Sequence, residues 1–218
     1  MCSSPYKTRR SHGRSLSGGS PFLTPFAVPV QPVLDALSLS PDCDVLELGE
    51  VACRFTLPIA RYFATKKGTG TVYACELEEA LVLRDYQKAK DAHLTHLVVP
   101  LHWDAASTTR IPYSDEEIDV AISISVPAFR SRPTLFASEC LRVLRPGGTL
   151  FIAEWRDART LLDGKKSAPE LSKEQAWDIL NNESGANCTL LNIPELEWAV
   201  LAAKPVVQVS PSKKSHLF

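Results

Sequence analysis

The sequence predicts a doubly wound α/β domain: a mostly parallel seven-stranded sheet, helices on both faces and a C-terminal antiparallel hairpin. Three observations predict it. Apolar runs of strand length alternate with segments of helix length through residues 44–155, the pattern of parallel βαβ units. The first runs are apolar throughout, as strands covered on both faces are. Two closing runs, 187–193 and 196–204, are separated only by Pro194 and Glu195, which suits a hairpin and not a crossover.

Each element follows in order. Residues 1–20 are rich in Ser, Gly and Arg and read as a disordered tail. The domain is expected over 21–204 and a loose tail over 205–218. Four prolines in 21–32 argue against a regular helix there. VLDALSL (33–39) has the spacing of a short helix. DVLEL (44–48) is the first strand, and CRFTLPIARYFATKK (53–67) the next helix, where Pro58 argues for a late start or a kink. GTVYACE (70–76) is the second strand. LEEALVLRDYQKAKDAH (77–93) reads as a helix with Ala80, Leu81, Leu83 and Ala89 on its apolar face. HLVVPLH (96–102) and IDVAISIS (118–125) are strands. RPTLFASECLRVL (132–144) is a helix stopped by Pro146, Gly147 and Gly148, and TLFIAEW (149–155) a strand. SKEQAWDILNNE (172–183) is a helix opened by a Ser172–Gln175 capping box.

Composition narrows the function. The 218 residues are 44% hydrophobic, enough for one domain with a full core. A net charge of −1 lacks the basic surplus of a general nucleic-acid binder. No apolar run approaches the ~18 residues of a membrane span. The six cysteines form no CxxC pair and read as buried reduced thiols, not as a metal site. His93 and His96 lack further ligands, so no metal is expected. The basic, serine-rich N-terminus contains no acid before Asp35. It reads as a tail on a cytoplasmic protein, with a mitochondrial presequence as the alternative.

Ligands of such sheets bind beyond the C-terminal ends of the strands. There the sequence places Glu47-Leu48-Gly49, Cys75-Glu76, His102-Trp103-Asp104 and Ser123-Ile124-Ser125. An acid at the end of the second strand suits bonding to ribose hydroxyls, although a helix N-cap is the plain alternative for Glu76.

With DVLELG (44–49), GTVYACELEEA (70–80), HWDAA (102–106), IPYSDEEIDVAIS (111–123) and LRVLRPGGTLFIAEW (141–155), the chain resembles class I S-adenosylmethionine-dependent methyltransferases. The likeness is to the small-molecule, ubiquinone/menaquinone-methyltransferase-like members, over residues 33–204. It implies a Rossmann-like fold, S-adenosyl-L-methionine as cofactor and a small-molecule acceptor. It makes Glu47 the acid that orders the methionine end through the loop, and Gly49 the first glycine of a G-x-G-x-G turn. Glu76, with Leu77, would hold the ribose. Asp104 would bond the adenine amino group, with Trp103 and Ala105 beside the ring. Ser123 would lie at the methyl-donor pocket.

The pattern breaks at the turn, where Val51 and Cys53 stand in place of glycines. Val51 would project a branched side chain toward the methionine moiety, and Glu50 a carboxylate that Arg54 could pair. SISVPAF after the fourth strand is not the Asn-Pro-Pro-aromatic motif of amide and base methylators. His102 is a candidate base, or else a partly buried structural histidine. Residues 21–31 and 156–170 could cover an acceptor. Three readings stay open: methyl transfer to a small molecule; a methyltransferase-fold protein turned cyclase or isomerase; and a non-catalytic partner of another protein. A protein partner or homodimer is compatible with each.

Overall fold

The computed structural model describes residues 30–49, 54–105, 108, 110–155, 171–194 and 196–206. The expected tails, residues 50–53 and the possible acceptor covers at 21–29 and 156–170 lie outside the described residues.

The chain runs α1 (Val30–Leu37), β1 (Val45–Gly49), α2 (Thr56–Lys66), β2 (Val72–Glu76), α3 (Glu79–Asp91) and β3 (Val98–His102). It continues through β4 (Ile118–Ile124), α4 (Pro127–Ser131), α5 (Pro133–Val143) and β5 (Leu144–Trp155). Then come α6 (Lys173–Ser184), β6 (Asn187–Leu191) and β7 (Leu196–Ala203). The sheet has seven strands in the order β3-β2-β1-β4-β5-β7-β6. Strands β1 to β5 pair in parallel, and β7 runs antiparallel to both β5 and β6. The expected doubly wound sheet with its closing hairpin is therefore present.

Side-chain alternation gives the sheet two cores. Val45, Val72, Ile122, Ile124 and Phe151 face one side, with Ile59 and Phe63 of α2. Leu46, Leu48, Cys75, Ala121 and Ile152 face the other, with Phe136 and Cys140 of α5. At the N-terminal ends of β1 and β4, Asp44 and Asp119 are adjacent like charges. Arg145 bridges them at 3.3 and 2.6 Å.

The structure corrects several local expectations. Helix α1 begins at Val30, inside the proline-rich stretch, because Pro32 falls in its first turn, where no backbone N–H is needed; α2 has the late start that Pro58 suggested, after Phe55. On α3, Leu83 is 73% exposed and Ala80 is exposed, while Asp85 is buried beside Ala89. The inward stripe is thus set by position and not by apolarity, and Lys88 Nζ meets Asp85 at 3.4 Å. The single helix expected over 132–144 is preceded by a separate short helix, α4, whose end at Arg132 abuts Pro133. Arg145-Pro146-Gly147-Gly148 does not separate helix from strand: β5 already begins at Leu144, which pairs with Ile118 before a register shift. The capping box at Ser172 and Gln175 is present, with Gln175 N donating to Ser172 Oγ at 3.2 Å.

Among the described residues no helix is long and apolar enough to cross a membrane. Two predictions follow from the packing. A Cβ on Gly70 would lie 2.2 Å from the Cys43 carbonyl oxygen. Gly70→Ala should therefore cost about 1–3 kcal/mol, read as a lower urea midpoint with an unchanged slope. Burial pushes the Cys43 thiol up to about 11, and raises Cys75 and Cys140 as well. Peptide mapping after alkylation at neutral pH should find these three unmodified in the native protein and modified in urea.

Candidate functional site

The chain leaves β1 toward β2 and β3, then returns to β4 on the other side of β1. The switch in strand order thus falls between β1 and β4, where open α/β sheets bind ligands. Gly49, Glu76 and Ile124 lie level across β2, β1 and β4, since Gly49 pairs with both of the others. His102 is level with Glu76 on β3.

Glu47 is buried on the α2 side of β1. Its Oε1 accepts from Phe55 N at 3.2 Å, and its Oε2 from Thr56 N at 2.8 Å and Thr56 Oγ1 at 2.5 Å. These amides are orphan donors of the helix start. Pro58 at the third helical position supplies no donor. The N-terminus of α2 is therefore capped by a carboxylate from within the chain. A dinucleotide pyrophosphate needs those same amides and positive dipole end, and here the Glu47 carboxyl already accepts from them. Burial raises the Glu47 carboxyl above its ordinary value, against the three hydrogen bonds, and the charge of Asp85 adds to the rise. Burial pulls the Arg54 guanidinium down, while the Glu47 charge pulls it back up.

Glu76 is 2% exposed at the end of β2. Its carbonyl accepts from Trp103 N at 2.9 Å, which ties the ends of β2 and β3 together. Leu77 follows, half-buried, and Asp104 is exposed. Ala105 is buried, its carbonyl held by Arg132 Nη2 at 2.9 Å. Trp103 turns into the core, 6.2 Å from the Phe136 ring, and its Nε1 donates to Arg110 O at 3.0 Å. His102 is exposed, not partly buried. Its Nε2 lies 3.2 Å from Leu77 O; a carbonyl only accepts, so in this contact Nε2 carries the hydrogen and cannot act as the base. Ser123 is fully buried between Leu48 and Ile152 on the α5 side of the sheet. Its Oγ has no hydrogen-bond partner among the described residues. Glu50, Val51 and Cys53 lie outside the described residues.

Sequence reasoning missed one cluster. Just past the end of β4, the Ser125 hydroxyl bonds Oε1 of Glu154, near the end of β5. Arg130 grips the same carboxylate with Nε at 2.9 Å and Nη2 at 2.7 Å. The signal was available, because Glu154 near the end of FIAEW obeys the strand-end rule already applied to Glu47 and Glu76. No group of three or more His, Cys, Asp or Glu among the described residues is placed to hold a metal ion.

A seven-stranded sheet of this order, with buried acids near the strand ends beside the switch point, is a doubly wound α/β fold whose ligand crevice lies at that edge. Residues 46–152 match the family model described as a methyltransferase domain. Over that stretch the chain is similar to methyltransferase domains, and solved methyltransferase structures share its fold. The chain is 30% identical over 128 residues to uncharacterized proteins of Mycobacterium tuberculosis and Mycobacterium bovis. That alignment covers 58% of this chain and 43% of each relative, so the chain spans under half the length of the curated relatives it matches. Among solved structures, a methyltransferase from Aquifex aeolicus superimposes with a TM-score of 0.62 at 23% identity, over 81% of this chain and 89% of that one. The [4+2]-cyclase SpnF superimposes with a TM-score of 0.64 at 19% identity, over 81% and 80%. These likenesses concern the fold.

Glu47 yields a prediction with a sign. Its folded value lies above the ordinary 4.5, so between the two the native chain binds more protons than the unfolded one. Its contribution to stability is fully present below about 4.5 and is lost as pH rises through the folded value. Denaturation of wild type and Glu47→Gln across pH 4–8 should show this downward term in wild type alone. Glu47→Ala, which leaves both helix amides without their acceptor, should cost about 2–3 kcal/mol in the same assay.

Proposed function

We propose that this protein transfers the methyl group of S-adenosyl-L-methionine to a small-molecule acceptor. The observation that carries this reading is the Glu76 carboxylate, 2% exposed at the end of β2 and one strand from the switch crevice. Two further observations support it. The start of α2 is occupied by Glu47, which disfavours a phosphate-bearing cofactor and suits one without phosphates. The buried Ser123 hydroxyl lacks a hydrogen-bond partner among the described residues, beside the same crevice.

In this reading the cofactor supplies an electrophilic methyl on a sulfonium. Glu76 accepts from the two ribose hydroxyls, with Leu77 against the sugar. Asp104 accepts from the adenine amino group, and Ala105 borders the ring. Trp103 acts through its backbone, which fixes the spacing between Glu76 and Asp104. Glu47 acts indirectly, by holding the start of α2 and so the exit of the 50–53 loop. The chain's task is to orient the acceptor in line with the methyl and exclude water. A base is needed only for acceptors that must lose a proton.

A second reading is cyclisation or isomerisation of an apolar substrate. Val51 and Cys53, in place of loop glycines, favour it, as does the likeness to a chain described as a [4+2]-cyclase.

Calorimetric titration separates the two. Wild type should bind S-adenosylmethionine and S-adenosylhomocysteine, and Glu76→Ala should weaken both by about tenfold to a hundredfold, the worth of charge-assisted hydrogen bonds. No binding to wild type, with binding gained by Val51→Gly/Cys53→Gly, would overturn methyl transfer.

A further inference from the structure

Helix α1 seats one stripe in the core and keeps a shoulder beside it. Val33 and Leu37, four residues apart, are buried. Val30 and Leu34 flank that stripe and stay half-buried. Across from them on α2 stand Pro58 and Tyr62, again four residues apart and half-buried. The two helices do not close on each other, and a groove of about 610 Å³ separates them. Small-molecule sites occupy about 300–1,000 Å³. One end of the groove is pinned, because the Tyr62 hydroxyl donates to Leu39 O at 3.2 Å. Ser38, at φ +48°, turns the chain at that end. A left-handed residue other than glycine persists where its surroundings enforce it. None of the lining residues lies on a strand, so the groove is separate from the strand-end crevice.

The rim has a chemical bias. It carries Gln31, Asp35 and Ser38, and Asp35 is the one charged residue in the lining. Gln31 Nε2 donates to Asp35 Oδ1 at 2.7 Å, which orients the carboxylate along the helix. Asp35 Oδ2 has no hydrogen-bond partner among the described residues. The Ser38 hydroxyl is directed back at Asp35 O, at 3.4 Å. What the rim offers a ligand is therefore mainly acceptors: Asp35 Oδ2, Gln31 Oε1 and the Ser38 lone pairs. An apolar floor below such a rim is complementary to an apolar body with a positively charged donor. An anionic head would meet Asp35 with no cation in the lining to offset it. We propose that the groove between α1 and α2 is a second small-molecule site, for an apolar ligand with an ammonium head. The site does not depend on the methyl-transfer reading.

Three probes share one apolar body and differ in charge: 1-naphthylmethylamine, 1-naphthalenemethanol and 1-naphthoate. Each is titrated into the full chain without cofactor, followed by backbone amide NMR shifts. The amine should bind with a Kd of about 1 mM or below, with shifts confined to α1, α2 and Ser38–Leu39. The alcohol should bind about two- to fivefold more weakly, the worth of an exposed ion pair, and the acid more weakly still. Asp35→Asn should bring the amine level with the alcohol. Leu34→Arg, which puts a long cation on the floor, should weaken amine and alcohol by about tenfold or more, with its urea midpoint as the check on folding. If Leu34→Arg does not fold, the amine-to-alcohol ratio in Asp35→Asn decides alone. Absence of shifts, shifts outside these helices, or a ratio that Asp35→Asn leaves unchanged would overturn the proposal. Binding gained only on removal of residues 1–29 would assign the groove to the chain's own N-terminal segment. Shifts that follow protein concentration without any probe would assign it to a second copy. Either result would also overturn the small-molecule site.

Discussion

A carboxylate buried under a helix start is the constraint from which the rest of the site follows. Glu47 sits in the middle of a parallel sheet, and burial opposes its charge. It is tolerable there because the first amides of α2 need an acceptor, and Phe55 at the N-cap makes no side-chain cap of its own. Each group solves the other's problem. The result fixes where α2 begins relative to β1, and so fixes both ends of the four-residue 50–53 segment between them.

The two edges of the sheet differ in kind. At the N-terminal edge, Asp44 and Asp119 are bridged by Arg145, and Lys204 Nζ donates to Leu144 O at 2.7 Å. These pairs are part-exposed and close on one another. At the C-terminal edge, Glu47, Glu76, Ser123, Ser125 and Glu154 are all buried and lie at or near strand ends. Buried polar groups are costly unless satisfied. Their concentration on one edge marks that edge as the one with chemistry to perform.

Much of this was legible in the sequence, for identifiable reasons. The strands are read correctly because their apolar runs are bounded by turns. The capping box is read because it is a purely local pair. Acid positions at the ends of β1 and β2 are legible because parallel topology sends every strand end to the same edge. What is not legible depends on distant contacts. Nothing local says that Asp85 faces inward and Leu83 outward; the packing of α3 on β2 and β3 decides that. Nothing in RPGG reveals that Leu144 already pairs with Ile118. The Ser125–Glu154 contact joins residues separated by 29 positions, and only the β4–β5 pairing brings them together.

Helix α5 holds the segment before β4 at both of its ends. Arg132, which precedes its first turn, donates to Ala105 O. In its last turn, Arg142 donates to Ile111 O, Tyr113 O and Asp115, while Glu139 accepts from Ile111 N at 3.1 Å. Arg110 O in turn accepts from the Trp103 indole. The described residues of the segment are thus tied to α5 at both of its ends. Through Arg110 and Trp103 the segment links α5 to the end of β2, where the Glu76 carbonyl accepts from Trp103 N. A contact made on the outer face of α5, far from the crevice, therefore has a mechanical route to the nucleoside end of the site.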